Sequence, residues 1–268
     1  MKVIISHDVD HLFRSDHYKD LIYPKLWVRS TLELFRRKYG LKEWTYRMIS
    51  PFFKDRHHIF DVIEIDKHYN VPSTFFFGMK TGLGMSYKRD KAIEIIKSVD
   101  RLGFDVGVHG IEYENSLGMR EEHDAFAEII GRTDFGIRMH YVRFNSETFS
   151  KLDKCGYQFD TTEFNKKSGY LFKKPYKVGS MWELPLAIMD GYLPLNYEQK
   201  VERTIQLIKE AEAQGIEYLT ILFHDYQFCE GFATERDWYK WLLEYLSGRF
   251  GFISYREAIK ELEDKLCQ

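Results

Sequence analysis

The feature that most constrains the fold of this chain is an alternation. Apolar, β-branched or aromatic runs such as Val3-Ile4-Ile5, "STFFFG", "DVGVH", "FGIRMH" and "YLTILFH" are separated by segments with helical spacing. These helical segments include "HHIFDVIEIDKHYN", stopped by Asn70 and Pro72, "DKAIEIIKSVDRLG", residues 119 to 131, "SETFSKLDKCG", and residues 197 to 214 and 236 to 246. Gly103 and Gly156 stand where helix C-caps belong. Apolar strands that alternate with amphipathic helices argue for a parallel sheet, and seven or so such units argue for closure or near-closure into a barrel. "YQFDTT" and "MWELPLA" read as further strands, with an irregular lysine-rich stretch up to Val178 between them. Residues 12 to 55, rich in aromatic and basic side chains, read as a helical insertion after the first strand, expected to pack near the mouth of any pocket there. The fold class expected is α/β: an irregular (β/α) barrel of about seven parallel strands, forming a single domain over residues 1 to 268.

Composition narrows the function. With 268 residues, 44% of them hydrophobic, the chain can bury a large core. The formal net charge of −2 gives no global basic field to attract nucleic acid or anionic lipid, so no nucleic-acid partner is expected. The three cysteines, Cys155, Cys229 and Cys267, are widely spaced and form no C-x-x-C pattern, which fits a reducing compartment and no thiolate zinc site. No apolar run approaches the roughly 18 residues of a membrane span and no leader is recognisable, so a cytoplasmic location is expected. The 16% aromatic content suits an ordinary core better than a carbohydrate-facing surface.

In parallel α/β folds, ligands gather at the carboxyl ends of the strands. Polar residues fall there repeatedly: Asp8 and Asp10 in "SHDVDH", His109 after "DVGV", Arg138 and His140 after "FGI", and His224 after "YLTILF". In an extended segment the side chains at i and i+2 share a side, so Asp8 and Asp10 can face one pocket. Two adjacent carboxylates repel unless a cation takes one and an arginine supports the other, and His109, His140 and Arg138 meet both needs. Asp10 with two imidazoles suits zinc or a similar divalent ion, with a position left for water. Asp8 can then act as a base and His224 as an acid, which together make amide or ester hydrolysis. His7 should point away from the aspartates into the core or a supporting position, and His11 stays undecided. His123 reads as a solvated or packing residue. Asp225 either orients the imidazole of His224 or points away from it, and Glu183 either lines the pocket or is a simple strand-end acid. The pairs Gly82/Gly84 and Gly107/Gly110 carry no nucleotide signal.

The segments "ISHDVDH", "VGVHG", "RMHYVRFNSETFSKLDKCGY" and "LTILFHDY" resemble, in order, the motifs of the polysaccharide deacetylases, carbohydrate esterase family 4, across residues 2 to about 230. The resemblance implies an irregular (β/α) barrel, with Asp8 as base, Asp10 and His109 as metal ligands, Arg138 bracing the base and His224 as acid. It also implies that the backbone N–H of Tyr141 stabilises an oxyanion. Two departures stand out. The family's second histidine, four residues after the first, is Tyr113 here, while His140 occupies the place of the proline in the arginine motif. His140 as replacement ligand completes the set Asp10, His109 and His140; Glu112 or Tyr113 as third ligand, or a degraded site, are the alternatives. The resemblance is to a divergent branch associated with surface-polysaccharide synthesis. It implies a metal-dependent N-deacetylase acting on an amino sugar, free, nucleotide-linked or lipid-linked, with a small-molecule or oligosaccharide substrate. The alternatives are a hydrolase of another carbohydrate-linked amide or ester, or an inactive carbohydrate-binding relative.

Overall fold

The computed structural model describes residues 1–19, 21–36 and 38–267. Its strands are β1 (Lys2–Val9), β2 (Thr74–Phe77), β3 (Asp105–Gly110), β4 (Gly136–Met139), β5 (Phe159–Asp160), β6 (Tyr176–Val178), β7 (Met181–Glu183), β8 (Ile188–Met189), β9 (Tyr218–Leu222) and β10 (Gly251–Phe252). The helices are α1 (Ile22–Phe35), α2 (Leu41–Ile49), α3 (Ile59–His68), α4 (Arg89–Arg101), α5 (Ser116–Ile130), α6 (Thr148–Cys155), α7 (Tyr197–Ala213), α8 (Ala233–Ser247) and α9 (Tyr255–Leu266). One curled sheet runs in the order β6-β7-β5-β4-β3-β2-β1-β9-β8, with β10 beside β1. Among the strand pairs of the described residues, β6–β7 alone is antiparallel, and β6 lies in the lysine-rich stretch expected to be irregular. The sheet forms a half-barrel flanked by helices. Across its gap, Tyr170 makes an isolated bridge to Ile188.

The period of two decides what faces the interior. In β1, Val3, Ile5 and Val9 join the cluster under the surrounding helices, whereas Ile4 joins the cluster inside the curl with Phe76, Phe159, Leu184 and Tyr255. Ser6 and Asp8 belong to the same inward set as Ile4. His7 therefore points outward, as its alternation required: its Nδ1 lies 2.9 Å from the Phe223 carbonyl and its Nε2 3.1 Å from Asp66. The same rule sends Val106, Val108, Ile137, Met139, Leu219 and Ile221 outward, so His109, Arg138 and His224 take the inward positions. Gly136 is needed at its place in β4, because a Cβ there would sit 2.3 Å from the Phe159 ring. That ring in turn stacks on Tyr255 at 4.7 Å.

The insertion packs on the carboxyl face of the strands, as expected. Its two helices brace each other, Trp27 Nε1 donating to the Met48 carbonyl and Trp44 Nε1 to Thr31. Arg47 Nε donates to the carbonyl of Gly231, just beyond β9, at 2.5 Å. Tyr39, Glu43 and Arg47 form one wall of a 340 Å³ cavity whose other wall holds Asp190, Lys200 and Tyr226.

Asp160 and Glu183 are direct partners in the β5–β7 ladder, and both are fully buried. Asp160 Oδ1 accepts from Thr162 and Glu183 Oε1 from the Glu163 amide, which leaves Asp160 Oδ2 and Glu183 Oε2 without any other donor. Burial raises both carboxyls above their ordinary range, and the charge of Asp160 drives Glu183 further up, so the pair retains a proton. An unfolded chain releases that proton near pH ~4, so the contribution of the pair is full below that pH and declines as pH rises through the raised folded values. Glu183→Gln keeps an acceptor for Glu163 and a donor for Asp160 and cannot ionise. Its melting temperature should match the wild type near pH ~4 and exceed it at about pH 8; an undiminished wild-type decline with pH contradicts the shared proton.

Candidate active site

Arg138, at the end of β4, is completely buried, and its guanidinium is the hub of the interior. Nη1 donates to Asp8 Oδ1 at 2.9 Å, Nη2 to Ser6 Oγ at 2.8 Å and to Tyr255 OH at 2.9 Å, and Nε to the Thr161 carbonyl at 3.1 Å. Phe76 lies under the guanidinium at 4.7 Å. Asp8 is thereby fixed at the end of β1, with its second oxygen 3.8 Å from His109 Nε2.

His109 is the ladder partner of Arg138. Its Nδ1 lies 3.0 Å from the Arg138 carbonyl, which can only accept, so Nδ1 carries the hydrogen and Nε2 presents a lone pair. His140 is fixed the same way by a second carbonyl, that of Leu83, 3.2 Å from its Nε2, so Nδ1 presents the lone pair. These two lone-pair nitrogens face each other at 2.9 Å. Asp10 Oδ1 lies 3.2 Å from one and 3.3 Å from the other, and no donor is aligned on it although it is buried. With both rings neutral, three acceptors converge, and their ligand atoms all lie within 4.8 Å of one another. Although burial opposes the imidazolium, the Asp8 and Asp10 carboxylates raise the His109 pKa, so the cluster attracts positive charge. A cation satisfies such a set, and backbone carbonyls on the far ring nitrogens are the usual means of holding metal-binding imidazoles. Glu112 and Tyr113 are not in this group. The Tyr113 ring instead lies under Arg143 at 4.7 Å.

The turn that carries His140 is strained. Tyr141 and Val142 have φ of 58° and 42°, left-handed conformations that a bulky or β-branched residue adopts only when its surroundings enforce them. The Tyr141 ring lies against His140 at 4.1 Å.

His224, just beyond β9, points its Nε2 toward Asp10 Oδ2 at 3.8 Å. Its Nδ1 lies 2.8 and 3.0 Å from the two oxygens of Asp190, and its backbone N–H donates to the same carboxylate at 2.8 Å. Burial opposes the imidazolium, but the carboxylates of Asp190, Asp10 and Asp8 outweigh it and push the pKa up to about 10. Asp190 is the orienting acid that the sequence reading overlooked. It directly follows the apolar "LAIM" of β8, so the same strand-end rule applied to "AIMDGY" would have flagged it. Asp225, the acid considered for that role, instead accepts the backbone N–H of His58 at 2.9 Å.

The other expected positions separate from the site. Glu183 is fully buried beside its ladder partner Asp160. His123 stacks on Phe135 at 4.9 Å, a packing role. His11 lies between the rings of His17 and Tyr226, at 4.6 and 5.1 Å, outside the converging group. Tyr255, which reaches Arg138 from α9, carried no signal in the sequence.

No family model matches the chain, and no curated protein matches it. Solved structures do. A protein classed as a polysaccharide deacetylase from Mycobacterium smegmatis aligns over 97% of this chain and 88% of its own, with 18% identity and a TM-score of 0.61. Another so classed, from Pseudomonas aeruginosa PAO1, aligns over 96% and 88%, with 12% identity and a TM-score of 0.58. A carbohydrate esterase family 4 pseudoenzyme from Bacillus anthracis aligns over 96% and 64%, with 12% identity and a TM-score of 0.50. Among the described residues, no helix is long and apolar enough to cross a membrane. Across nearly its whole length, the chain has the fold of the polysaccharide deacetylases.

Proposed function

We propose that this chain is a metal-dependent hydrolase that removes the N-acetyl group from an amino sugar or polysaccharide precursor. The observation that carries the reading is the convergence of Asp10, His109 and His140 as three acceptors, flanked by Asp8 on Arg138 and His224 on Asp190. Asp10, His109 and His140 would hold the ion, and zinc suits one carboxylate and two imidazoles. Such an ion, when bound, supplies Lewis acidity that acidifies water and polarises an acyl oxygen.

The remaining steps belong to the chain's own groups. Asp8 accepts the proton of the attacking water, and Arg138 keeps its carboxylate aimed from below. As the acetyl carbon becomes tetrahedral, negative charge grows on its oxygen, and the Tyr141 backbone N–H faces that charge. His224 then gives the proton on Nε2 to the departing sugar amine, so that the C–N bond breaks to a neutral amine and acetic acid, while the other water proton stays on Asp8. Asp190 fixes the ring and stabilises its charged form throughout. The names of the structural neighbours support the acetyl–sugar assignment. The polar cavity beside Asp190 offers space for the sugar.

Two predictions follow from these roles. Purified protein should carry a stoichiometric divalent ion by elemental analysis; Asp10→Ala, His109→Ala and His140→Ala should lose most of it, while Glu112→Gln and Tyr113→Phe should retain it. A His140→Ala protein with a full complement of metal overturns the ligand set. On an N-acetylated amino-sugar panel, Asp8→Asn should abolish turnover while sparing metal, and His224→Ala should lower kcat by about 10²- to 10⁴-fold. Near-full turnover by metal-replete Asp8→Asn removes Asp8 from its role.

A further inference from the structure

The helical insertion has inverted polarity. An ordinary surface helix such as α4 buries Ala92, Ile96 and Val99. By contrast α1 buries Tyr23, Ser30 and Glu33, and α2 buries Glu43 and Arg47. The inward charges are satisfied: Arg47 pairs with Glu43 at 2.6 Å and with Glu33 at 3.5 Å, besides its bond to Gly231. The apolar side chains are turned outward instead, with Leu21 67%, Val28 63%, Leu32 51%, Phe35 79%, Leu41 66% and Phe52 80% exposed. Of the 19 large hydrophobic side chains exposed among the described residues, ten lie between Tyr18 and Phe53. A patch concentrated in so short a segment marks an interaction surface.

Charge identifies the occupant. Residues 12 to 55 contain ten Lys and Arg against five Asp and Glu, a formal +5 within a chain whose total is −2. The overall value therefore hides a local basic field. Lys25, Arg29 and Arg36 border the groove formed by Leu21, Val28 and Leu32, so cations and apolar side chains occupy one face. Trp27 and Lys54 lie exposed in the same insertion. A helix with this mixture binds in the interface of an anionic bilayer: its apolar side chains enter the headgroup boundary while Lys and Arg meet lipid phosphates. A symmetric dimer through the same face would set two positive surfaces against each other.

We propose that the α1–α2 insertion is a docking surface for an anionic membrane. The insertion also walls the cavity that holds Asp190, so docking brings the pocket mouth to the lipid surface and favours a sugar carried on a lipid anchor. That last step rests on the reaction proposed above; the docking does not.

The full-length protein is tested by co-sedimentation with phosphatidylcholine vesicles and with mixed phosphatidylcholine–phosphatidylglycerol vesicles, at low and high salt. Binding to the mixed vesicles alone, weakened by salt, is expected. The double variants Leu32→Glu/Phe35→Glu and Lys25→Glu/Arg36→Glu should each reduce partitioning by about tenfold or more, with unchanged melting temperature and unchanged turnover of a soluble substrate. Asp10→Ala should bind vesicles like the wild type, so docking and catalysis can fail separately. Equal partitioning into both vesicle types, no binding to either, or a wild-type dimer that Leu32→Glu/Phe35→Glu converts to monomer would each overturn the proposal.

Discussion

The interior of this protein is organised around one buried ion pair. The Arg138 guanidinium, with no solvent contact, must satisfy its donors from side chains and backbone that converge on it, and β1, the segment after β5 and α9 each supply an acceptor. Removing one partner from such a pair typically costs about 3–5 kcal/mol, because the other charge stays buried and unpaired. The arrangement is therefore all or nothing, and it fixes the height of β1 against β4. His109 follows from it, since His109 is the ladder partner of Arg138 and its Nδ1 hydrogen is held by the Arg138 carbonyl. Asp10 follows by the pleat, two residues beyond Asp8 on the same side. The guanidinium thus aims one carboxylate directly and positions the acceptor cluster through the backbone.

Much of this is legible in the sequence, because strand alternation is a strict period. Once β1 is placed, Asp8 and Asp10 must share a side and His7 must oppose them. The strand-end rule likewise brought His109, Arg138, His140 and His224 to one face. What escaped were interactions set by tertiary packing. Tyr255 reaches Arg138 from the last helix, and no local pattern couples residues 117 positions apart. Asp190 follows a two-residue strand, too short to announce itself by alternation, so Asp225 drew attention by adjacency although neighbours on an extended chain diverge. The edge strand β6 was hidden because its alternation, Tyr176-Lys177-Val178, spans only three residues, none of them fully buried. The degree of closure was equally out of reach, since it depends on strand tilt and on the bridge between Tyr170 and Ile188.

The insertion shows where a correct average misleads. A total charge of −2 excludes a global basic field, yet a segment of 44 residues with a formal +5 can sit inside that total. A surface helix ordinarily turns its apolar side inward. The insertion inverts this, because the surface it covers at the mouth of the sheet is polar, and Glu33, Glu43 and Arg47 are the side chains that can be satisfied there.

The central claim is that His140, two residues beyond the buried arginine, completes a cation site with Asp10 and His109. Anomalous diffraction from crystals grown with zinc tests it most directly. A single strong peak at about 2.0–2.2 Å from Asp10 Oδ1, His109 Nε2 and His140 Nδ1 is the expected result. A peak coordinated by Asp10 and His109 with His140 turned away, or no peak between the two imidazoles in zinc-saturated crystals, would contradict it.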